Sequence, residues 1–336
     1  MPTETVRSRV VKCLRGEMPA DRLPRIEWAS WWDQTIRRWE GEGMPAGMSG
    51  WDIKRYFGLD LDCQFGFAQM GDGAPGRPTE HGQGWICDEA DYERLLPWLY
   101  PDPVPLNRGH IREVAQWQTA GEAVMWITLC GFFWWPRVLL GIEPHLMAFY
   151  DQPELMRRIN EDQARYCRRC IEAFVAEATP DYMTFAEDMS YNHGPMISRA
   201  QFDTFMAPYF HEVVPLLHEH GITVIIDSDG DIEQLVPWFE SVGIDGILPL
   251  ERMAGVDVAR VRRSHSDWRM VGAFDKTVMH LGEDAIRAEF ERLLPVMRTG
   301  GFIPSVDHQT PPGVSIEDYR LYLKLLWEYT ETAVRG

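Results

Sequence analysis

The stretch VIIDSDGDIEQL, residues Val224–Leu235, joins a run of strand-forming aliphatic residues to three aspartates at every second position. Side chains alternate between the two faces of a strand, so Asp227 and Asp229 are expected to point the same way if the strand continues. Two carboxylates at such a short separation raise the pKa of at least one of them unless a cation lies between them. An arrangement with that cost indicates a functional site where a buried strand ends.

The same pattern, a short apolar run that ends in an acidic residue or a histidine, recurs through the second half of the chain. The runs are YMTFAED, TVIIDSD, GILPLE, MVGAFD and FIPSVDH, which end at Asp188, Asp229, Glu251, Asp275 and His308. Segments with helical periodicity separate them, as in the βα units of a parallel sheet. With three earlier candidates, RIEWAS, CQFGFAQ and AVMWIT, there are eight strands. The sequence therefore predicts an α/β fold, a (β/α)8 barrel whose active site lies at the carboxyl ends of the strands.

An open doubly wound sheet is the alternative fold. No G-x-G-x-x-G loop follows an early strand, which weakens the nucleotide-binding form of that alternative. The chain has 336 residues and is 45% hydrophobic, enough for one large core. We expect a single barrel domain over residues 1–336, with an irregular insertion around 45–115 that contains the loop GDGAPGRPTEHGQG.

Charge and composition narrow the class of protein. Fifty-one acidic residues against 33 basic ones give a formal charge of −18, which disfavours nucleic acid and anionic membranes as partners. The N-terminus has no apolar signal-peptide core, and the most apolar stretch, GFFWWPRVLLGI, is too short to cross a bilayer. Six scattered cysteines do not form a disulfide framework. These features predict a cytoplasmic protein that acts on a small molecule.

In a barrel, the strand ends converge on one cavity, and the residues there become candidates for chemistry. The catalytic candidates are Asp227, Asp229, His308 and, beside Asp188, Glu187. The candidates for substrate binding are Trp28, Trp31, Trp32, His193, Asp275 and Asp307. Helix capping is the competing role for Asp275, and core packing is the competing role for the tryptophans.

Three segments resemble one known family. EDMSYNHGPMISRAQFDTFMAPYF, GAFDKTVMHLGEDAI and GGFIPSVDHQTPPGVSIEDY are similar to the uroporphyrinogen decarboxylase superfamily, and LRGEMPADRLPRIEW is similar to its N-terminal entry. That superfamily includes the haem-pathway decarboxylase and corrinoid-linked methyltransferases. The resemblance implies a (β/α)8 barrel, in agreement with the pattern of strands.

Two departures from the family pattern concern the site. The decarboxylase carries an R-Q-A-G-R motif after its first strand, where this chain has IEWASWWDQ without an arginine. The methyltransferases carry a His-x-Cys-Gly zinc motif and a late cysteine. The resemblance places Asp227, Asp229 and His308 at those ligand positions and Gly230 at the glycine. Thiolate ligands suit zinc, whereas two carboxylates and an imidazole are better matched to Mn²⁺, Fe²⁺ or Mg²⁺, or to no metal.

The resemblance and the acidic residues together favour an enzyme that handles a one-carbon group, by methyl transfer or by demethylation of a small or aromatic substrate. Asp227, Asp229 and His308 would hold a divalent metal ion or act as acid and base. A corrinoid would take part only through a partner protein, and the relatives suggest a homodimer or a monomer. The alternatives are a decarboxylase of uroporphyrinogen or another carboxylic acid, and a non-catalytic barrel that binds a cationic ligand.

Overall fold

The computed structural model describes residues 4–29, 31–76, 78, 80 and 82–335. The strands are β1 (Leu61–Gly66), β2 (Ala123–Cys130), β3 (Tyr182–Ala186), β4 (Ser190–Tyr191), β5 (Gly194–Pro195), β6 (Thr223–Asp227), β7 (Gly246–Leu248), β8 (Arg269–Phe274) and β9 (Phe302–Val306). All but β4 and β5 form one parallel sheet in the order β1-β2-β3-β6-β7-β8-β9. The β4 and β5 strands form a small antiparallel hairpin immediately after β3.

Helices follow the strands and cover the outside of the sheet. The α-helices before β3 are α1 (Val6–Leu14), α2 (Asp33–Gly41), α3 (Gly50–Tyr56), α4 (Glu89–Leu95), α5 (Arg108–Ala120), α6 (Trp134–Leu140), α7 (Ile142–Asp151) and α8 (Pro153–Val175). Those after β3 are α9 (Arg199–Phe205), α10 (Ala207–Glu219), α11 (Val236–Glu240), α12 (Val258–Ser264), α13 (Glu283–Met297) and α14 (Ile316–Arg335). Short 3-10 helices occupy Leu96–Trp98, Arg252–Ala254 and Lys276–Leu281.

Local sequence signals account for several helix boundaries. Ser198 and Ser315 begin helices with reciprocal capping boxes, in which Gln201 and Asp318 bond back to the serine backbone. Pro153 begins α8, where its missing N–H removes no helical hydrogen bond. Ser198, Ser315 and Pro153 therefore mark the beginnings of their helices through local chemistry.

The predicted first strand, RIEWAS, is not a strand in the part of the chain that the structure describes. Residues 25–29 nevertheless bridge the two ends of the sheet. The backbone oxygen of Arg25 accepts a hydrogen bond of 2.8 Å from Asp60 N, just before β1, and Trp28 Nε1 donates one of 2.8 Å to Val306 O at the end of β9. Seven regular strands, with residues 25–29 joining the two ends of the sheet, form a fold of the (β/α)8 barrel class, as predicted.

The span 45–115 is more regular than expected. It contains α3, α4 and the beginning of α5, and it supplies β1, which pairs in parallel with β2 from Leu61 to Gly66. Among the described residues, no helix combines the length and the apolar composition needed to cross a membrane.

Candidate functional site

Strand register brings three aspartates together at the carboxyl end of the sheet. Asp227, the last residue of β6, is the Cα partner of Ala186 in β3, and Asp188 lies two residues beyond Ala186. Each of Asp188, Asp227 and Asp229 offers one carboxylate oxygen, and these oxygens all lie within 4.8 Å of one another. The prediction that Asp227 and Asp229 face a common point therefore agrees with the geometry.

The three carboxylates line a cavity of about 330 Å³ that opens at the carboxyl ends of the strands. His308 lines the same cavity from the loop after β9, and Gln64, Trp28 and Trp126 form its remaining walls. None of the described residues that line this cavity is an arginine or a lysine. The cavity is therefore strongly acidic, with indole surfaces below and beside the carboxylates.

Among the three aspartates, Asp227 has the negative charge that the protein stabilises least. No side chain or backbone N–H of the described residues donates a hydrogen bond to its carboxylate. Burial raises its pKa well above the usual value, and the neighbouring Asp188 and Asp229 raise it further. Burial also raises the pKa of Asp188, whose backbone adopts a φ of +36° that non-glycine residues rarely adopt. Both the charge and the backbone conformation are therefore unfavourable here, which is typical of a functional site.

Asp229 and His308 form a polar pair at the mouth of the cavity. His308 Nε2 lies 3.7 Å from Asp229 Oδ2. Burial, followed by the charges of Asp188 and Glu251, raises the pKa of Asp229 to about 7. Burial lowers the pKa of His308, so its imidazole is neutral at neutral pH. Near pH 7 the two groups can therefore exchange a proton with a bound molecule.

Gly230 allows this loop to approach the loop after β3. A Cβ on Gly230 would lie 2.8 Å from the backbone of Ser190 and Tyr191, and the residue has a φ of +85°. The hydroxyl of Ser190 donates a hydrogen bond of 2.5 Å to the backbone oxygen of Asp229. The glycine of the DSDGD sequence therefore holds Asp229 against the neighbouring loop.

A lysine that the sequence analysis did not single out lies behind the cavity. Lys276 Nζ is 3.4 Å from Glu251 and 3.3 Å from Asp307. The buried Asp307 also accepts backbone hydrogen bonds from Arg252 and Lys276, and burial raises its pKa to about 6. Asp307 was predicted to bind substrate, but its carboxylate is occupied by these partners. It supports the site from outside the cavity wall.

Glu187, predicted to be catalytic, does not line the cavity. Its carboxylate accepts hydrogen bonds from the backbone N–H groups of Phe132, Phe133 and Trp134 at the beginning of α6. Burial raises its pKa to about 8 despite these bonds. Side chains alternate along a strand, so Glu187 points away from the face shared by Ala186 and Asp188. Asp188, rather than Glu187, lines the cavity. The alternation of side chains along a strand is the sequence signal that distinguishes the two adjacent residues.

Four further candidates for substrate binding are not among the residues that line the cavity. Trp31 is buried among Trp39, Phe57 and Tyr319. Asp275 caps the following 3-10 helix through Thr277 N. Trp32 is 42% exposed at the start of α2, and the exposed His193 packs edge-on against Tyr191 in the β4–β5 hairpin. The two competing roles, core packing and capping, explain Trp31 and Asp275, whereas Trp28 does line the cavity.

The donor set fits a divalent cation that prefers oxygen. Opposite ligands of such an ion are about 4 to 5 Å apart, since each metal–oxygen distance is about 2.1 to 2.5 Å. The aspartate oxygens, within 4.8 Å of one another, satisfy that limit. Three carboxylates suit Mg²⁺, Mn²⁺ or Ca²⁺, whereas a zinc site of the thiolate type needs sulfur ligands. His308 is near enough to Asp229 to take part in the same site.

Comparisons with known proteins agree with this fold. A methyltransferase from Methanosarcina mazei has a similar structure, with a TM-score of 0.71 and 14% sequence identity over 97% of this chain and 99% of that chain. A protein from Listeria monocytogenes assigned as a vitamin-B12-independent methionine synthase matches with a TM-score of 0.48 and 13% identity over 94% of this chain and 98% of that one. At 14% identity, the similarity to the Methanosarcina mazei protein concerns the fold alone. A search of curated proteins gives no match.

The family model described as uroporphyrinogen decarboxylase (URO-D) matches residues 137–329, more than half of the chain. The match includes Asp188, Asp227, Asp229 and His308. The chain belongs to the uroporphyrinogen decarboxylase family.

Proposed function

We propose that this protein transfers a one-carbon group, a methyl group in the first instance, to or from a small molecule bound in the acidic cavity. The observation that carries the proposal is the meeting of Asp188, Asp227 and Asp229 in one cavity, with one oxygen from each within 4.8 Å of the others. Within a family that contains group-transfer and decarboxylation enzymes, we assign these carboxylates to a divalent cation.

The electrostatics support a cation rather than an anionic substrate. Asp227 has no hydrogen-bond donor among the described residues, and burial and like charges raise its pKa. A divalent ion would remove this repulsion, and it would supply Lewis-acid stabilisation to a heteroatom of the substrate. A tetrapyrrole with many carboxylates would be repelled by the same residues, because no basic residue is found among the described lining residues.

His308 and Trp28 have distinct roles in this proposal. When a heteroatom of the small molecule takes the methyl group, its lone pair forms the new bond and the methyl donor keeps the electron pair of the bond that breaks. The neutral imidazole of His308 accepts the proton that the heteroatom loses. In the reverse reaction a methyl acceptor, reduced cobalamin in the assay below, attacks the methyl carbon, while the heteroatom keeps the electron pair of the broken bond and takes a proton from protonated His308. The indole of Trp28 is held by its bond to Val306 O and meets His308 edge-on at 6.2 Å between ring centroids. It fixes the imidazole and forms a flat wall for the substrate.

The test is a methyl-transfer assay on the purified full chain supplied with Mn²⁺. Reduced cobalamin serves as methyl acceptor, and methylated thioethers, amines and aryl ethers serve as donors, with formation of methylcobalamin followed by absorbance. We expect transfer from at least one donor, a loss of at least 100-fold in Asp227→Asn, and no loss in Asp231→Asn. Asp231 is the matched control because it lies in the same loop, where its side chain accepts a hydrogen bond from Glu233 N. Transfer that survives both chelation and Asp227→Asn would overturn the proposal.

One observation favours decarboxylation as a second candidate. Asp229, with a pKa raised to about 7, can protonate the carbanion that loss of carbon dioxide leaves. Release of labelled carbon dioxide from a panel of small carboxylic acids, abolished in Asp229→Asn, would support this candidate. A barrel that only binds a cationic ligand would show neither activity.

A further inference from the structure

The wall of the acidic cavity includes two polar side chains, Gln64 and Trp126, that have no role in the proposed chemistry. Gln64 in β1 and Trp126 in β2 are Cα partners in the sheet, and both line the cavity. Trp126 is in turn the partner of Tyr182 in β3, on which its indole stacks with ring centroids 5.1 Å apart. Gln64 and Trp126 are therefore neighbours on adjacent strands and form one part of the cavity wall.

Gln64 presents a fixed amide to the cavity. Its Nε2 donates a hydrogen bond of 2.7 Å to Thr128 Oγ1, which lies 2.9 Å from Thr184 Oγ1. These contacts orient the amide, and its oxygen has no hydrogen-bond partner among the described residues. The side chain is exposed although it lies in the middle of a barrel strand, so the cavity extends down to it. Gln64 therefore offers an acceptor to a bound molecule.

Trp126 supplies the complementary donor. Its side chain is buried, with only 2% of the residue exposed, and its indole Nε1 has no hydrogen-bond partner within the described part of the chain. A buried donor without an acceptor costs roughly 1 to 3 kcal/mol. Since the residue lines the cavity, a ligand atom that accepts a hydrogen bond there would remove this cost.

Strand register separates the Gln64–Trp126 pair from the aspartates along the sheet. Asp227 pairs with Ala186, which lies four residues beyond Tyr182, the partner of Trp126. The strands of a barrel are staggered, so this offset in register is not a height, but both groups of side chains line the same cavity. Cavities of about 150 Å³ already hold a benzene molecule. A cavity of about 330 Å³ therefore accommodates one ring with substituents at both ends.

We propose that Gln64 and Trp126 form a specificity subsite for an uncharged group that both donates and accepts hydrogen bonds, a hydroxyl or a carboxamide, at the end of the substrate opposite the reacting heteroatom. This proposal rests on the proposed one-carbon transfer, and it narrows the substrate to a small, neutral molecule, either aromatic or of similar size. An anionic substituent is disfavoured at this end, because the amide oxygen of Gln64 and the three aspartates that line the same cavity would repel it.

The test measures binding of four probes to the full chain by isothermal titration calorimetry. Phenol and benzamide carry the expected group, toluene lacks it, and benzoate replaces it with a charge. We expect phenol and benzamide to bind at least tenfold more tightly than toluene or benzoate. Gln64→Leu and Trp126→Phe should each weaken that binding at least fivefold, since each removes one hydrogen bond. Gln116→Leu, on the exposed face of α5, is the matched control and should bind as the native protein does.

Titration with Mn²⁺ on the same variants shows whether the rest of the site is intact. The phenylalanine in Trp126→Phe keeps an aromatic ring against Tyr182, and Gln64→Leu provides a second variant if the first one unfolds. Unchanged Mn²⁺ affinity with weakened phenol binding supports the subsite. Equal binding of toluene and phenol, no binding of any probe, or phenol binding unaffected by both variants overturns it.

The two proposals fail in different ways. If phenol binding depends on Gln64 and Trp126 but no methyl transfer is found, the one-carbon function is wrong and the subsite stands. If methyl transfer occurs with donors that carry no hydroxyl or carboxamide, at rates unaffected by Gln64→Leu, the subsite is wrong and the function stands.

Discussion

His308 Nε2 lies 3.7 Å from Asp229 Oδ2, although the two residues follow different strands, β9 and β6. The pKa of the imidazole is lowered and that of the carboxyl group is raised, so neither group is fully charged near neutral pH. A pair with such matched proton affinities is suited to proton transfer rather than to a strong ion pair. Its properties lead to measurable consequences for stability and for cation binding.

Asp229→Asn is expected to stabilise the cation-free protein at alkaline pH. The pKa of Asp229 is about 7 in the folded protein and 3.8 in its ordinary state, so folding takes up a proton between these values. The free energy of unfolding of the native protein therefore decreases as the pH rises from about 4 to about 7, and asparagine has no such loss. The gain at about pH 8 is on the order of 1 kcal/mol, discounted because the side chain is partly exposed.

Thermal unfolding in the presence of a chelator, at pH values from about 4 to about 8, measures this difference. The melting temperature of Asp229→Asn should exceed that of the native protein at the alkaline end and match it near pH 4. Asp231→Asn is the control in the same loop and should follow the native protein throughout. A difference independent of pH would show that the carboxyl group is not buried with like charges.

Mn²⁺ is expected to stabilise the native protein against heat. An ion held only by the folded state adds about 2.7 kcal/mol when its concentration is 100 times its dissociation constant. Asp227→Asn removes one ligand and should abolish most of this gain, whereas Asp231→Asn should keep it. Differential scanning fluorimetry with and without about 1 mM MnCl₂ measures the effect, and equal shifts in both variants would place any bound Mn²⁺ elsewhere.

The strand order was predictable because each later strand combines apolar residues with a polar end. The runs that end at Asp188, Asp229, Glu251 and His308 contain β3, β6, β7 and β9, respectively, and the run that ends at Asp275 contains all of β8 except its first residue, Arg269. The structure of the segment at RIEWAS was not predictable, because its described residues 25–29 bridge the sheet ends without the regular pairing of a strand. Its contacts with Asp60 and Val306 depend on residues distant in sequence, which local composition does not specify.

The sequence did not specify which of two neighbouring side chains faces the cavity, and this limited the prediction of the site. Asp227, Asp229, His308 and Trp28 line the cavity as expected, but Glu187 and Asp188 are adjacent, and strand parity alone distinguishes them. Lys276 and Gln64 carry no local signal in the sequence. The position of Lys276 follows from the carboxylates of Glu251 and Asp307, and that of Gln64 follows from its register with Trp126.

Gly131→Ala is expected to destabilise the protein by roughly 1 to 3 kcal/mol, the range for overpacking in a tightly packed site. A Cβ on Gly131 would lie 2.1 Å from Cδ of Glu187, whose carboxylate is fixed by three backbone N–H groups and cannot move without losing them. Urea unfolding measures the change. Gly41→Ala is the matched control, because nothing lies within 4 Å of its added Cβ at the end of α2, and it should not destabilise the protein.

Lys276→Met is expected to destabilise the protein most strongly at neutral and alkaline pH. Lys276 Nζ lies between Glu251 and Asp307, and its loss leaves the buried Asp307 without a counter-charge, at a cost of roughly 3 kcal/mol. Burial already raises the pKa of Asp307 to about 6 while Lys276 lowers it, so the substitution raises that pKa further. A carboxyl group whose pKa is raised by folding makes the protein less stable as the pH rises from the pKa of the unfolded chain to the pKa of the folded protein. The defect should therefore diminish at about pH 5, where Asp307 is protonated. Urea unfolding at about pH 5 and about pH 8 measures the difference, with Lys276→Arg as the charge-conserving control. A defect of equal size at both pH values would mean that Lys276 acts through packing rather than through its charge.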